Sequence, residues 1–213
     1  MAADCRCLIA DDHPIVRKGV CDLLVHGGVC SEVVEAGTAA AAMSLIRRHV
    51  WDLLILDISL PDKHGLEVLK EVKQLRPRLP VLMLSHYPET EFGMRALKTG
   101  ASGYLTKDQA HEELLTAIHA ILSGRRYITP SLAKQLAEYH ETGRPATGHA
   151  LLSNREMEVL RLLGQGKTVS AIGVEMALSV KTVSTYRVRI LEKLNLHTTA
   201  DLMRYAIEHR LTI

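Results

Sequence analysis

No stretch of these 213 residues stays apolar for the roughly 20 positions that a membrane-crossing helix needs, because charges break every hydrophobic run first. The opening residues Met1-Ala2-Ala3-Asp4-Cys5-Arg6 hold no apolar leader region. These absences predict a cytoplasmic protein with no membrane partner. Internal repeats and low-complexity runs are also missing, which speaks against solenoids and extended disorder. Cysteine is scarce: the four residues Cys5, Cys7, Cys21 and Cys30 have neither C-x-x-C spacing nor a matching histidine cluster. They read as small buried or half-buried residues with reduced thiols in preference to a redox device.

What is present is a chain with 47% hydrophobic residues, enough for one large or two small cores. The net charge of +2 is uneven: residues 1–122 carry 13 basic against 16 acidic side chains, residues 123–148 carry 4 against 2, and residues 149–213 carry 9 against 6. An acidic front and a basic back point the C-terminal part toward a polyanion.

From Cys5 to about Leu122, short aliphatic runs alternate with longer amphipathic stretches, which predicts a parallel sheet covered by helices on both faces. Strands are expected near 5–10, 32–36, 53–57, 80–85 and 103–106, and helices near 14–26, 38–49, 65–75, 88–99 and 111–122. Pro14 suits a first helical turn, Thr38 a cap and Gly100 a helix stop. The expected class is therefore α/β, a flavodoxin-like doubly wound sheet of five parallel strands, followed by a small all-α domain of four helices. Gly124, Pro130, Gly143, Pro145 and Gly148 mark residues 123–148 as a linker that holds a short helix over 130–137. The domain limits are 1–122, 123–148 and 149–213.

Each of four strand ends delivers a polar group: Asp11 and Asp12, Asp57, Ser85, and Lys107. In a parallel sheet they meet at one edge, where open α/β sheets bind ligands. Carboxylates, a hydroxyl and an ammonium suit a divalent cation and a phosphoryl group. Singly, each has an ordinary role as a helix cap, turn residue or solvated side chain. Their order and convergence favour a site.

Asp11-Asp12, then Leu56-Asp57-Ile58-Ser59-Leu60-Pro61 with Gly65, then Ser85 and Tyr104-Leu105-Thr106-Lys107, resemble the receiver domain of two-component response regulators. That resemblance implies that Asp57 accepts a phosphoryl group from a histidine kinase or another phosphodonor. It also implies that Asp12, Asp57 and the Ser59 carbonyl bind Mg²⁺ directly, and that Asp11 helps to hold the ion. Ser85, Lys107 and Tyr104 would contact the phosphoryl group and relay the switch, Ser85 moving in and Tyr104 rotating into the vacated space. Crowded aspartates should hold their protons more tightly and be relieved by the cation. Two departures stand out. Lys107 is followed by Asp108 where many receivers have proline, which leaves the isomer of that bond open. The bulky His86 and Tyr87 follow Ser85, restricting access to Asp57. Trp51 enters the third strand at the end away from Asp57.

After the linker the period is purely helical. Ser153-Asn154-Arg155-Glu156 forms a capping box, and helices follow from there to Gly164 or Gly166, over 168–177, 180–194 and 199–209. The connection Leu178-Ser179-Val180 fits a helix-turn-helix. These stretches, with Gly166-Lys167-Thr168 and Lys181-Thr182-Val183-Ser184-Thr185-Tyr186, resemble the LuxR-type module of NarL/FixJ regulators. The third helix turns Val183, Ile190, Leu191 and Leu194 to the core. By the resemblance, Ser184, Thr185 and Val188 read bases, and Lys181, Thr182, Arg187, Arg189 and Lys193 touch the backbone of double-stranded DNA. A lysine is common at position 184 in relatives, so serine removes a long cationic reader. Leu202, Met203 and Ala206 would dimerise the module over an inverted repeat.

The expectation is a phosphorylation-controlled transcription regulator, not an enzyme, that binds DNA as a homodimer and admits RNA polymerase as a further partner. Two alternatives are a regulator that works without phosphorylation, and a phospho-aspartate phosphohydrolase. The second acid that such enzymes carry two residues after the nucleophile is Ser59 here.

Overall fold

The computed structural model describes residues 5–142 and 148–212; the linker positions Gly143 and Pro145 and the leader residues Met1 to Asp4 lie outside them. The chain divides into two compact units, Met1–Gln135 and Leu136–Ile213.

In the first unit the strands β1 (Arg6–Ala10), β2 (Glu32–Ala36), β3 (Leu53–Leu56), β4 (Val81–Ser85) and β5 (Gly103–Thr106) alternate with helices α1 (Pro14–His26), α2 (Ala39–Arg48), α3 (Gly65–Leu75), α4 (Glu89–Thr99) and α5 (Ala110–Leu122). All strands are parallel, in the order β2-β1-β3-β4-β5. β3 and β4 are buried along their whole length, as central strands covered on both faces must be. Local chemistry sets the helix ends. Pro14 occupies the first turn of α1, the Thr38 side chain accepts from the Ala41 amide, and Gly100 ends α4 at φ +108°. Asp62 adds a cap from a distance, its two carboxylate oxygens accepting from the Ala39 and Ala40 amides at 2.8 Å each.

This unit continues past the expected limit at residue 122. The Tyr127 amide donates to Ser102 O at 2.9 Å, Thr129 donates to the buried Glu89, and Leu132 is fully buried against Gly93 of α4. Tyr127, Thr129 and Leu132 thus draw the start of α6 (Pro130–Thr142) onto α4, and the helix is longer than the expected 130–137.

The second unit holds a 3-10 turn (Gly148–Leu151) and helices α7 (Asn154–Gly164), α8 (Val169–Glu175), α9 (Val180–Leu194) and α10 (Thr199–Glu208). Every one of these helices starts on a Ser or Thr cap: Ser153, Thr168, Ser179 and Thr198. Met157, Leu160, Leu163, Ile172, Val183, Ile190, Leu202 and Ala206 form its core. Among the described residues no helix is long and apolar enough to cross a membrane.

Candidate functional site

The sheet ladder runs one residue beyond three strands. Asp11 N donates to Ala36 O at 3.1 Å, Asp57 N to Ala10 O at 2.8 Å and Lys107 N to Ser85 O at 2.7 Å. These bonds set Asp11, Asp57, Ser85 and Lys107 side by side at the carboxyl edge of the sheet.

Lys107 is the hub. Its Nζ lies 2.7 Å from Asp11 Oδ2 and 2.8 Å from Asp57 Oδ2. All three side chains are buried, which strengthens the attraction. Burial raises the Asp57 pKa above its ordinary value, Lys107 opposes that rise and the Asp11 charge adds to it. Burial alone would lower the Lys107 pKa, but the Asp57 and Asp11 charges outweigh it and hold the ammonium charged. The remaining Asp57 oxygen accepts from the Ser59 amide at 3.2 Å.

Ligand atoms of Asp11, Asp12, His13 and Asp57 all lie within 4.8 Å of one another. Asp11 Oδ2 and Asp12 Oδ1 are buried oxygens, with Lys107 Nζ 2.7 Å from the first and His13 Nδ1 2.6 Å from the second. A hard divalent ion would satisfy such oxygens. His13, not among the residues expected here, joins this group with its Nδ1 2.6 Å from Asp12 Oδ1; its one signal in the sequence is its place as the next residue of the same loop.

Ser85 Oγ accepts from the Tyr87 amide at 3.2 Å, and Tyr104 Oη donates to Tyr87 O at 2.7 Å. Tyr104 is completely buried, so the ring that was expected to rotate inward is already inside here. The expectation that His86 and Tyr87 both restrict access is corrected for Tyr87. It is buried against Phe92, centroids 5.0 Å apart, whereas exposed His86 packs edge-on against His13 at 5.7 Å. Gly65 lets α3 start tightly under Asp57: a Cβ there would stand 2.1 Å from Asp57 O. The Lys107–Asp108 peptide is trans.

In the second unit, α8 and α9 form a tight pair. Ala177 takes a left-handed φ of +52°, and a Cβ on Gly173 would meet Leu178 O at 2.9 Å. Val183 and Ile190 face the core, while Lys181, Thr185, Val188 and Arg189 are exposed and Thr182 and Ser184 half-exposed. Some polar side chains on α9 have local partners. Thr185 Oγ1 donates to Lys181 O, and Thr182 Oγ1 lies 2.8 Å from Ser179 Oγ. Arg187 reaches Thr199 at 3.2 Å, and Lys193 pairs with buried Glu156 at 2.6 Å. Arg187 and Lys193 therefore brace α9 against α10 and α7 as well as presenting charge.

The dimerisation residues need correction. Leu202 and Ala206 are both 0% exposed, and a Cβ on Gly164 would stand 2.6 Å from Ala206 Cβ, so both are spent on the core of their own unit. The face of α10 open to a partner holds the half-buried Met203 and Ile207, which is 61% exposed.

Residues 7–119 match the family described as response regulator receiver domain, and residues 150–206 match bacterial regulatory proteins of the luxR family. The chain is similar to the response regulator UvrY of Escherichia coli K12, 33% identical over 96% of this chain and 94% of UvrY. It is similar to the response regulator GacA of Pseudomonas aeruginosa, 32% identical over 95% of each. Among solved structures, the RcsB response regulator of Salmonella typhimurium shares 26% identity over 99% of each chain with a TM-score of 0.70. An RcsB–DNA complex matches 95% of this chain and 97% of RcsB at 26% identity, with a TM-score of 0.59.

Proposed function

The chain belongs to the two-component response regulators that join a receiver domain to a luxR-family DNA-binding module, and from that premise we propose how its own residues carry out that work. It is a DNA-binding transcription regulator controlled by phosphorylation, and its family consists of regulators, not enzymes. In this reading residues 1–122 receive the phosphoryl group, residues 123–148 link and residues 149–213 read DNA.

Asp57 is the acceptor. The observation that carries this is the buried Lys107 bridging Asp57 and Asp11 at the sheet edge. One Asp57 oxygen forms a bond to phosphorus while the bond from phosphorus to the donor, a histidine nitrogen of a kinase, breaks and that nitrogen leaves with the electron pair. A carboxylate is a weak nucleophile, so the site works by position and charge. Lys107 holds Asp57 against Asp11's repulsion and then donates to the arriving phosphoryl oxygens. Asp11, Asp12, Asp57 and the Ser59 carbonyl would hold Mg²⁺, with His13 beside them. When bound, the ion supplies positive charge to the equatorial oxygens of the transferring group.

The acyl phosphate adds about −1.5 to −2 charges beside Ser85. Ser85 Oγ then turns its proton to a phosphoryl oxygen, which favours the inward Tyr104. Tyr104 grips the Tyr87 carbonyl, Tyr87 packs on Phe92, and α4 holds the linker helix through Glu89 and Gly93. A change at Asp57 thus reaches α6 through packed side chains. Such couplings are typically about 1–3 kcal/mol, or about 5–150-fold in affinity.

In the second unit Ser184, Thr185 and Val188 read base edges, and Lys181, Thr182, Arg187, Arg189 and Lys193 contact phosphates. A homodimer formed through α10 around Met203 and Ile207 places two reading helices over an inverted repeat, with RNA polymerase as a downstream partner. The test is retardation on phosphate-affinity gels with a small phosphodonor and Mg²⁺, run beside footprinting. Wild type is expected to shift and to bind DNA more tightly, Asp57→Asn to do neither. DNA affinity that ignores both the donor and the substitution would defeat the switch.

A further inference from the structure

The sulfurs of Cys5 and Cys30 lie 3.0 Å apart although 25 positions separate them in sequence. Both are buried in the apolar cluster that packs β1 against α1 and α5. Cys5 directly precedes β1, and Cys30 closes the turn between α1 and β2. Backbone bonds hold the two segments together: Cys5 O accepts from the Ser31 amide at 2.9 Å and from Ser31 Oγ at 3.2 Å. A disulfide needs a sulfur separation of about 2.05 Å, so closure asks for a shift of only about 1 Å.

The two thiols differ in character. Hydrogen bonds with Cys7 and Cys5 bring the Cys30 pKa down to about 7 against the opposing effect of burial. Burial and its bond to Cys30 push Cys5 up to about 12. A thiol that ionises near neutral pH beside one that stays protonated forms a nucleophile and a resolving partner. Ser31 and Gly28, flanking this turn, are exposed, so the pair lies just beneath the surface.

We propose that Cys5 and Cys30 are a modification site that closes to a reversible disulfide on reaction with hydrogen peroxide. The Cys30 thiolate attacks one peroxide oxygen, the O–O bond breaks and hydroxide leaves, taking up a proton to become water. The Cys5 sulfur then attacks the sulfenic acid on Cys30, the S–O bond breaks and the departing hydroxide takes the Cys5 proton as a second water. Two thiols are oxidised by two electrons and one peroxide is reduced to two waters. A dithiol reductant reverses the change by exchange. The bond lies at the end of β1 opposite Asp11 and closes a covalent loop that contains β1, Asp11 to His13 and α1, so it constrains the unfolded chain.

The experiment treats the full chain with hydrogen peroxide, titrates the remaining thiols and maps tryptic peptides without reduction. Trypsin cuts after Arg6 and so separates Cys5 from Cys7. Wild type and Cys21→Ser are each expected to lose two thiols, recovered with dithiothreitol, and to yield one linked pair carrying Cys5 and Cys30. Cys30→Ser is expected to form no linked pair, and oxidised wild type to melt several degrees higher than reduced. Wild-type protein that stays folded and keeps all four of its thiols, or a linked pair carrying Cys7 in place of Cys5, would overturn the proposal.

Discussion

Each unit buries carboxylate against a lysine, and Asp57 and Glu156 move in opposite directions. Asp57 is 1% exposed with Lys107 at 2.8 Å, and Glu156 is 3% exposed with Lys193 at 2.6 Å. Burial pushes both pKa values upward. For Glu156 that push is overcome by Lys193 and by donors from Ser153, and its pKa falls below the ordinary 4.5. For Asp57 it is not, because Lys107 is shared with Asp11, whose negative charge faces the same site. Glu156 is a satisfied structural charge inside a capping box. Asp57 is held at a cost to the fold, which fits the role proposed for it as a group that meets a cation and a phosphoryl group.

The largest expected effect lies in the receiver's scaffold. Gly65→Ala would put a methyl 2.1 Å from the Asp57 carbonyl and 2.7 Å from Ile58 Cα, both backbone atoms that cannot swing aside. The receiver should lose about 3 kcal/mol or more while the C-terminal melting transition stays in place, as calorimetry would show. A single lowered transition for both units would break the separation on which the comparison stands.

Glu156→Gln should destabilise the C-terminal unit by about 1–2 kcal/mol, discounted because Lys193 is 40% exposed and partly screened. The sign with pH follows from the lowered folded pKa. The contribution of Glu156 is present above its ordinary value of 4.5 and fades as pH falls through the lower folded value. Chemical denaturation of wild type and variant should therefore converge in acid.

Asp57→Asn should act the other way and stabilise the receiver by on the order of 1 kcal/mol, since Lys107 keeps Asp11 as its partner. Here the folded pKa is raised above 3.8, so the native protein takes up a proton before the unfolded chain does. Stability due to this group rises as pH falls through the folded value, and the variant's advantage shrinks with it. A destabilised Asp57→Asn receiver would erase the contrast with Glu156.

The smallest expected effect belongs to the sole tryptophan. Trp51 sits at the opposite end of the sheet from Asp57, donating to Leu45 O at 3.2 Å with the Arg6 guanidinium 5.1 Å from its ring centroid. Mg²⁺ titration should leave its fluorescence nearly unchanged; strong quenching would show that the receiver responds as a whole and not at its acidic edge.

Elements and their ends were legible because their signals are local. The caps Thr38 and Ser153 and the helix stop Gly100 act within a turn of their own position, and α1, α3 and α9 span the residues that periodicity assigns to them. The polar groups at the strand ends were legible for the same reason, since an aliphatic run followed by aspartate or lysine is visible in any window. Less legible was direction. Leu202 and Ala206 look like interface residues on an apolar stripe, yet the approach of Gly164 buries them. Tyr87 lies two residues after Ser85 in sequence but turns toward Phe92.

Short-range order in this protein is therefore written residue by residue: which segments are strands or helices, and which chemical groups stand at their ends. Proximity came from the folded sheet. Its register brings Lys107 to Asp57 across 50 positions and Cys5 to Cys30 across 25, and it holds Tyr127 and Thr129 against the receiver beyond the last helix expected there. The reason is physical: a cap or a helical period is satisfied by neighbours along the chain, whereas a buried charge or thiol takes its character from whatever the packing of distant segments sets beside it.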